Sequence, residues 1–305
     1  MVYSVEIGRL YVHEYHTSKP YMSTLVTGVS EKRGEVLPVT VGILTYNSGA
    51  TLARALESVR GCGEILIADG GSIDETLDIA WRYGARVIGQ SSDGPIVDFS
   101  LERNRVIEAA QYSWYLSLDS DEVASPELIA AIRDITAREA HGEAVPQFYS
   151  IYQLYTSPDM QQRYRSFKKQ HQIRFFDRRA AGARFRNVIH EHVYPSERTQ
   201  VEMLDAWWAT PLDIDGDFAT FKEKVRRNAQ VIEDYDNKNP FVFVRQGIVP
   251  GLVTTGKWLL KNAYMRIWYP ARECVPFRFE LYRLYEVWYM IGAYVRRYVR
   301  LLFRK

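Results

Sequence analysis

Asp119-Ser120-Asp121-Glu122 sets two carboxylates, Asp119 and Asp121, one residue apart. At the end of a strand both can turn toward one point and share a divalent cation. Hard cations such as Mg2+ and Mn2+ favour carboxylate oxygens together with the phosphate oxygens of a substrate. A cation held there would neutralise a diphosphate leaving group. The plainer alternative is a solvated acidic turn. A further acid, Asp69, stands in Ile67-Ala68-Asp69-Gly70-Gly71-Ser72, just before a turn-forming run.

The elements around these acids alternate. Val39–Thr45 is a short apolar run that predicts a buried strand. Asn47 and Ser48 can cap a helix running to about Arg60, with Leu52, Ala55, Leu56 and Val59 on one face. Glu64–Ala68 predicts a second strand ending at Asp69, and a helix from about Asp74 to Tyr83 follows the glycine turn. Arg86–Ile88 is a third short strand, Leu101–Gln111 a helix, and Trp114–Leu118 a fourth strand ending at Asp119. Strand–helix alternation implies an α/β, doubly wound and mostly parallel sheet, whose strand ends line a ligand crevice. A helix follows Pro126. Phe148–Tyr155 and Gln172–Phe176 then read as strands that add antiparallel members, and Phe218–Tyr235 as a helix. From Pro240 the chain is rich in Trp, Tyr and Arg at helical spacing. The expected organisation is an N-terminal extension over 1–36, a catalytic domain over 37–238 and a C-terminal helical amphipathic extension over 239–305.

The chain has 305 residues and a formal net charge of +2. Between Lys257 and Lys305 eleven Lys and Arg face three Glu, so the remainder carries six net negative charges. An acidic body with a basic tail suggests an anionic partner for the tail. Two cysteines, Cys62 and Cys274, give neither a disulfide framework nor zinc-ligand spacing. A reducing, cytoplasmic compartment is the expectation. Nothing at the N-terminus reads as a signal peptide. No uncharged tail run approaches the roughly 20 residues of a membrane span. An acidic body with no recognised nucleic-acid module argues against nucleic acid as a partner.

Four short elements fall in order at strand ends or on the helix before one: Leu44-Thr45-Tyr46-Asn47, Asp69-Gly70-Gly71-Ser72-Ile73-Asp74, Glu102-Arg103-Asn104 and Leu118-Asp119-Ser120-Asp121. This set resembles the family 2 glycosyltransferases, of GT-A fold, over about Val39 to Asp134. The resemblance implies a nucleotide-sugar donor. It puts Asp69 on the donor base, usually uracil, with Thr45, Tyr46 and Asn47 around the nucleoside. It puts Arg103 near the base or phosphates, with a surface arginine as the alternative. It sets Asp119 and Ser120 toward the ribose or a metal-bound water, and Asp121 on the metal. Gly70 departs from the commonest pattern, which has a second acid there. For Asp74 a helix cap is the favoured role.

His190-Glu191-His192, following Gln172–Phe176, is similar to a subset of the family that builds bacterial cell-envelope glycans. Inverting transfer needs a carboxylate to take the acceptor hydroxyl's proton. Glu191 is the expected base, with Asp159 in reserve. His192 could complete the metal shell, and Arg174 and His190 could meet acceptor or phosphate. A structural turn, and for Arg174 a salt bridge to Asp177 or another acid, are the alternatives. Pro240-Phe241 with Gly247, Gly251 and Gly256 resembles the terminal part of the same enzymes.

Between Lys257 and Lys305 thirteen aromatic residues alternate with the basic ones. Such helices lie well at an anionic bilayer interface; packing on the catalytic domain or in a homodimer is the alternative. The expected activity is inverting transfer of a sugar, from a UDP-sugar, to a lipid-linked or cell-envelope glycan at the inner face of the membrane, with Mn2+ or Mg2+ as cofactor. A nucleotidyltransferase fits less well, because no basic residue follows the first strand before Arg54. A dehydrogenase lacks its Gly-x-Gly-x-x-Gly. A catalytically inactive protein that binds a nucleotide or anchors a partner at the membrane is the non-enzyme alternative.

Overall fold

The computed structural model describes residues 36–91, 96, 98–165, 170–186, 192–196, 199–212, 218–234 and 239–303. Residues 36–305 form one compact unit. Its elements run β1 (Leu37–Thr45), α1 (Gly49–Ser58), β2 (Cys62–Asp69), α2 (Thr76–Arg82), β3 (Arg86–Gly89), α3 (Phe99–Ala109), β4 (Trp114–Ser117), β5 (Val123–Ala124), α4 (Pro126–Ala140) and β6 (Phe148–Thr156). There follow β7 (Arg163–Tyr164), β8 (Gln170–Asp177), β9 (Phe185–Arg186), β10 (His192–Val193), β11 (Val201–Pro211), α5 (Phe218–Asp234), α6 (Pro240–Phe243), α7 (Val249–Trp268) and α8 (Phe277–Leu302).

Nine strands make one mixed sheet in the order β3-β2-β1-β4-β8-β6-β11-β5, with β7 beside β6. β1 to β4 are mutually parallel, as strand–helix alternation demands. β8 then runs antiparallel to both β4 and β6. β6 and β11 therefore point the same way as β4, and all three end at one edge of the sheet.

β1 is buried along almost its whole length because helices cover both faces, which is why it reads as a continuous apolar run. Leu52, Ala55 and Leu56 of α1 recur at helical spacing and enter the main core with Val39, Val41, Ile43 and Ile67. Burying each such leucine stabilises the fold by about 1.5–3 kcal/mol. Ser125 caps α4 by accepting from Leu128 N at 3.0 Å, with Pro126 in the first turn.

Two sequence expectations change. The helix after β1 is not capped by the Asn47 or Ser48 side chains; Gly49 N donates to Asp74 Oδ2 at 2.9 Å instead. β11, eleven residues long, has no counterpart among the strands read from the sequence. Its burial alternates from Leu204 to Trp208, a period-two signal carried by Leu204, Ala206 and Trp208.

The C-terminal helices are joined to the sheet at the edge where β6 ends. Arg165 N donates to Glu273 O at 2.7 Å. Tyr164, Leu212 and Val275 form a small cluster with Tyr155 and Phe279. α5 packs on α8 through Phe218 and Phe221 against Tyr282, and Glu233 pairs with Arg296 and Arg300. α7 meets α8 so closely that a Cβ on Gly251 would lie 2.5 Å from Ile291 Cγ1. Gly251→Ala is therefore expected to destabilise the protein by about 1–3 kcal/mol through overpacking, against alanine's roughly 1 kcal/mol advantage in helix propensity. Urea unfolding of the two forms reads the balance, and a higher midpoint for the alanine form would show that the seam is not tight.

Candidate active site

β1, β2 and β4 lie side by side and end at one edge, so the residues that close them share a rim. Thr45 and Asp69 are direct register partners. Thr45 Oγ1 donates to Asp69 Oδ1 at 2.7 Å, and Ser72 Oγ donates to the same oxygen at 2.6 Å. Asp69 Oδ2 accepts from Gly71 N at 2.9 Å and Ser72 N at 2.8 Å. A carboxylate offers about four acceptor positions, and these donors fill them. Asp69 thus holds the turn in which Gly71 takes φ 83°, a conformation that favours glycine. A ligand N–H that reaches Asp69 has to displace one of these donors.

The loop after β1 is laced to that turn. Asn47, at φ 50°, donates through its N to Ser72 Oγ at 2.8 Å and accepts from Ile73 N at 2.9 Å. Asp74 receives Gly49 N and Thr76 N at 2.9 and 3.0 Å, so it serves the first residues of both α1 and α2. Ser120 Oγ donates to Ser48 Oγ at 3.0 Å, which brings the turn after β4 into the same network. Tyr46 is exposed at the mouth of the loop.

Beside this lies an ion cluster. Arg103, on α3, donates to Ser117 Oγ at 2.9 Å and to Asp119 Oδ1 at 2.5 Å. Arg174, on β8, lies 3.7 Å from Asp119 Oδ2 and 3.3 Å from Glu122 Oε1. The Leu116–Phe175 pairing of β4 with β8 carries Arg174 to this place. Trp208 of β11 donates through Nε1 to Glu122 Oε1 at 2.8 Å, and its ring stacks on the Arg174 guanidinium at 4.9 Å. Asp119 N closes the cluster on Glu122 Oε2 at 3.0 Å. The side chains of Arg103, Arg174 and Glu122 are 5%, 10% and 3% exposed, whereas that of Asp119 is 36% exposed. Asp119 is therefore where the cluster opens to solvent. Burial alone would raise its pKa, but Arg103 and Arg174 outweigh this and hold the carboxyl well below the usual range. Glu122 is raised, because burial exceeds the attraction of Arg174 and Asp119 adds repulsion.

Asp121 is exposed on the same turn, which Glu122 N closes on Asp119 O at 3.0 Å. Asn104 pairs with the backbone of Phe185 through both amide atoms, at 3.0 and 2.9 Å, as a strand neighbour would. That sets Phe185 against Arg103, with the guanidinium 5.3 Å from the ring. His192 is exposed on β10, opposite Arg186 of β9. His190 and Glu191 lie outside the described residues. Asp159 accepts from Ser157 Oγ and from Gln161 N in its own loop, and the serine bond leads in holding its pKa low. Among the described residues no three His, Cys, Asp or Glu side chains form a metal-binding group. Ser117 and Trp208 carry no signal in the sequence, whereas Ser72 stands in the turn after Asp69 and Glu122 is the last acid of the acidic run.

A mixed α/β sheet with an anionic rim at its parallel strand ends defines a class of ligand-binding α/β proteins. The pattern of "Glycosyl transferase family 2" matches residues 40–193, half of the chain, and the chain belongs to that family. It is similar to the SPbeta prophage-derived glycosyltransferase SunS of Bacillus subtilis, 29% identical over 126 residues, 38% of this chain and 28% of that protein. It is also similar to the lipopolysaccharide core biosynthesis glycosyltransferase LpsC of Rhizobium meliloti, 29% identical over 107 residues, 32% of this chain and 40% of that one. The similarity thus spans less than half the length of these relatives. Among solved structures, TarS residues 1–349 from S. aureus in complex with UDP-GlcNAc aligns with TM-score 0.36 and 15% identity, covering 65% of this chain and 67% of that one.

Removing Glu122 leaves the buried Arg174 with only the more distant Asp119 as counter-charge, beside its bond to Gln172 Oε1, and strips the Trp208 Nε1 and Asp119 N donors of their acceptor. Glu122→Ala is expected to cost about 3–5 kcal/mol of stability, and Glu122→Ala combined with Arg174→Met to recover part of it. Urea denaturation of the single and double variants measures both, and additive losses would show that the pair is not coupled.

Proposed function

We propose that this protein transfers a sugar from a nucleotide diphosphate donor, UDP in the first instance, to a hydroxyl of a cell-envelope or lipid-linked saccharide, with inversion at the anomeric carbon. Residues 37–238 carry the chemistry and residues 239–305 hold the chain at an anionic membrane surface. The reading rests above all on one arrangement: Thr45, Asp69 and Asp119 close neighbouring parallel strands, and Arg103 grips Asp119 at their rim. Membership of the family supports the reaction class. The similarity to a lipopolysaccharide core enzyme motivates the choice of acceptor.

In this reading Thr45, Tyr46, Asn47 and the Asp69 turn receive the nucleoside, and Asp119 and Ser120 face the ribose. Arg103 and Arg174 offset Asp119 so that its negative charge does not repel the diphosphate. The donor set suits a hard cation. Asp119 is held ionised, and Asp121 is an exposed carboxylate on the same turn, leaving the other positions to phosphate oxygens and water. Asp121 would hold Mn2+ or Mg2+ beside Asp119, and the cation would supply charge neutralisation for the leaving diphosphate. Glu191 takes the acceptor hydroxyl's proton as that oxygen attacks the anomeric carbon and the bond to the diphosphate oxygen breaks. Arg174 and His190 steady the acceptor or a phosphate.

Purified protein is expected to release UDP from a UDP-sugar in the presence of Mn2+, and Asp121→Ala to lower kcat by about 100-fold or more if the cation carries several kcal/mol of charge stabilisation. Screening donor sugars with and without the metal tests this. UDP binding without turnover by the wild type would favour the binding-only alternative.

A further inference from the structure

Helix α7 has two apolar faces, and among the described residues only one of them is packed. Asn262 and Met265 are buried, Gly251 closes on Ile291 of α8, and Trp258 Nε1 donates to Glu280 of α8 at 2.9 Å. On the opposite face, at helical spacing, stand Leu252, Val253, Leu259, Leu260, Ile267 and Trp268, which are 49–75% exposed. Burying a face of this size in water's place is strongly favourable, so its exposure calls for an occupant.

The charge of the helix selects one. Val249–Trp268 contains no Asp or Glu. Of its three cations, Lys261 pairs with Glu280 and Arg266 turns to Val275 O and the Phe277 ring, whereas Lys257 stands exposed at the border of the apolar face, where its long stem can run along apolar surface and leave the charge in the headgroup layer. A second copy of the chain pressed on this face would set cation against cation with no acid to match. An anionic bilayer offers both the apolar layer and the counter-charge. No described helix is long and apolar enough to cross a membrane, so α7 would lie in the interface plane.

We infer that the outer face of α7 is the membrane-docking surface of this protein, inserted into the interface of an anionic bilayer with Lys257 at the headgroups. The inference deepens the membrane-surface reading above and rests on it. It separates the two long tail helices. α8 packs against α5, α6 and α7 and leaves Leu281, Trp288 and Leu302 43–50% exposed, whereas α7 carries the more exposed apolar face and is the contact. The tail joins the sheet at the edge where β4 and β6 end, which is also the rim carrying Asp69 and Asp119.

The test uses the full chain and vesicles of phosphatidylcholine with or without phosphatidylglycerol, read by flotation. The wild type should bind the anionic vesicles, and Leu260→Glu/Ile267→Glu should bind at least about tenfold more weakly, as should the wild type on phosphatidylcholine alone. Both substituted side chains point into solvent, so the unfolding midpoint should not move. Brominated lipid should quench tryptophan fluorescence in the wild type, and Trp268→Phe should lose most of that quenching. Equal vesicle binding by wild type and double variant overturns the proposal. So does a wild type that fails to bind anionic vesicles, including one whose variant merely changes from dimer to monomer on sedimentation, which would assign the face to a second copy. UDP release measured without vesicles should be unchanged in the variant. If UDP release is absent while vesicle binding follows the pattern above, the transfer reading falls and the docking surface stands.

Discussion

Asp119 remains an anion at the rim because two guanidiniums from different elements face it, Arg103 from α3 and Arg174 from β8. Withdrawing part of a carboxylate from water is costly unless the charge is met and hydrogen-bonded. Meeting it takes several parts of the fold. The antiparallel entry of β8 carries Arg174 to the end of β4, and Glu122 shares that arginine. β11 supplies Trp208, whose indole N–H and ring serve Glu122 and Arg174 in turn. The antiparallel half of the sheet is therefore part of the site as well as its frame.

The other half of the rim rests on Asp69. Its four hydrogen bonds are all made within the chain, to one side chain across the sheet and to the turn that follows it. That commits Asp69 first to shaping the loop and only through exchange of a donor to meeting a ligand. Asn47 shows the same economy. A left-handed backbone leaves its side chain free to hold Ile73 N, and the two loops close on each other. Serines 48, 72 and 120 link the three strand ends through hydroxyls that can donate and accept at once.

Direction along the sheet decides where everything else is placed. Because β4, β6 and β11 point the same way, the crevice and the attachment of the C-terminal helices fall on one edge. The tail is anchored there by Arg165 against Glu273 and by the cluster around Val275, while α5 and α8 bind each other through stacked aromatics and the Glu233 pairs.

Much of this was legible along the chain. The strands and helices from Leu37 to Ala140 announce themselves through unbroken apolar runs, helical spacing and glycine turns, and the four short elements at their ends carry the family. These are local signals, made by residues a few positions apart. What the chain could not state is who meets whom across long separations. Arg174 looked as ready to pair with Asp177, its neighbour, as with Glu122, 52 positions away, and only the pairing of β8 with β4 chose the second. Trp208 is 86 positions from the glutamate it binds, on a strand whose burial alternation stops at the buried Ala209. The tail showed its basic and aromatic composition in sequence, yet which of its apolar faces is spent inside the fold depended on glycine-sized gaps between α7 and α8. Composition and spacing determined the elements and the acids that close them; the sheet's pairing order decided the partners, because charge and packing act through space and the order of strands is set by the whole core at once.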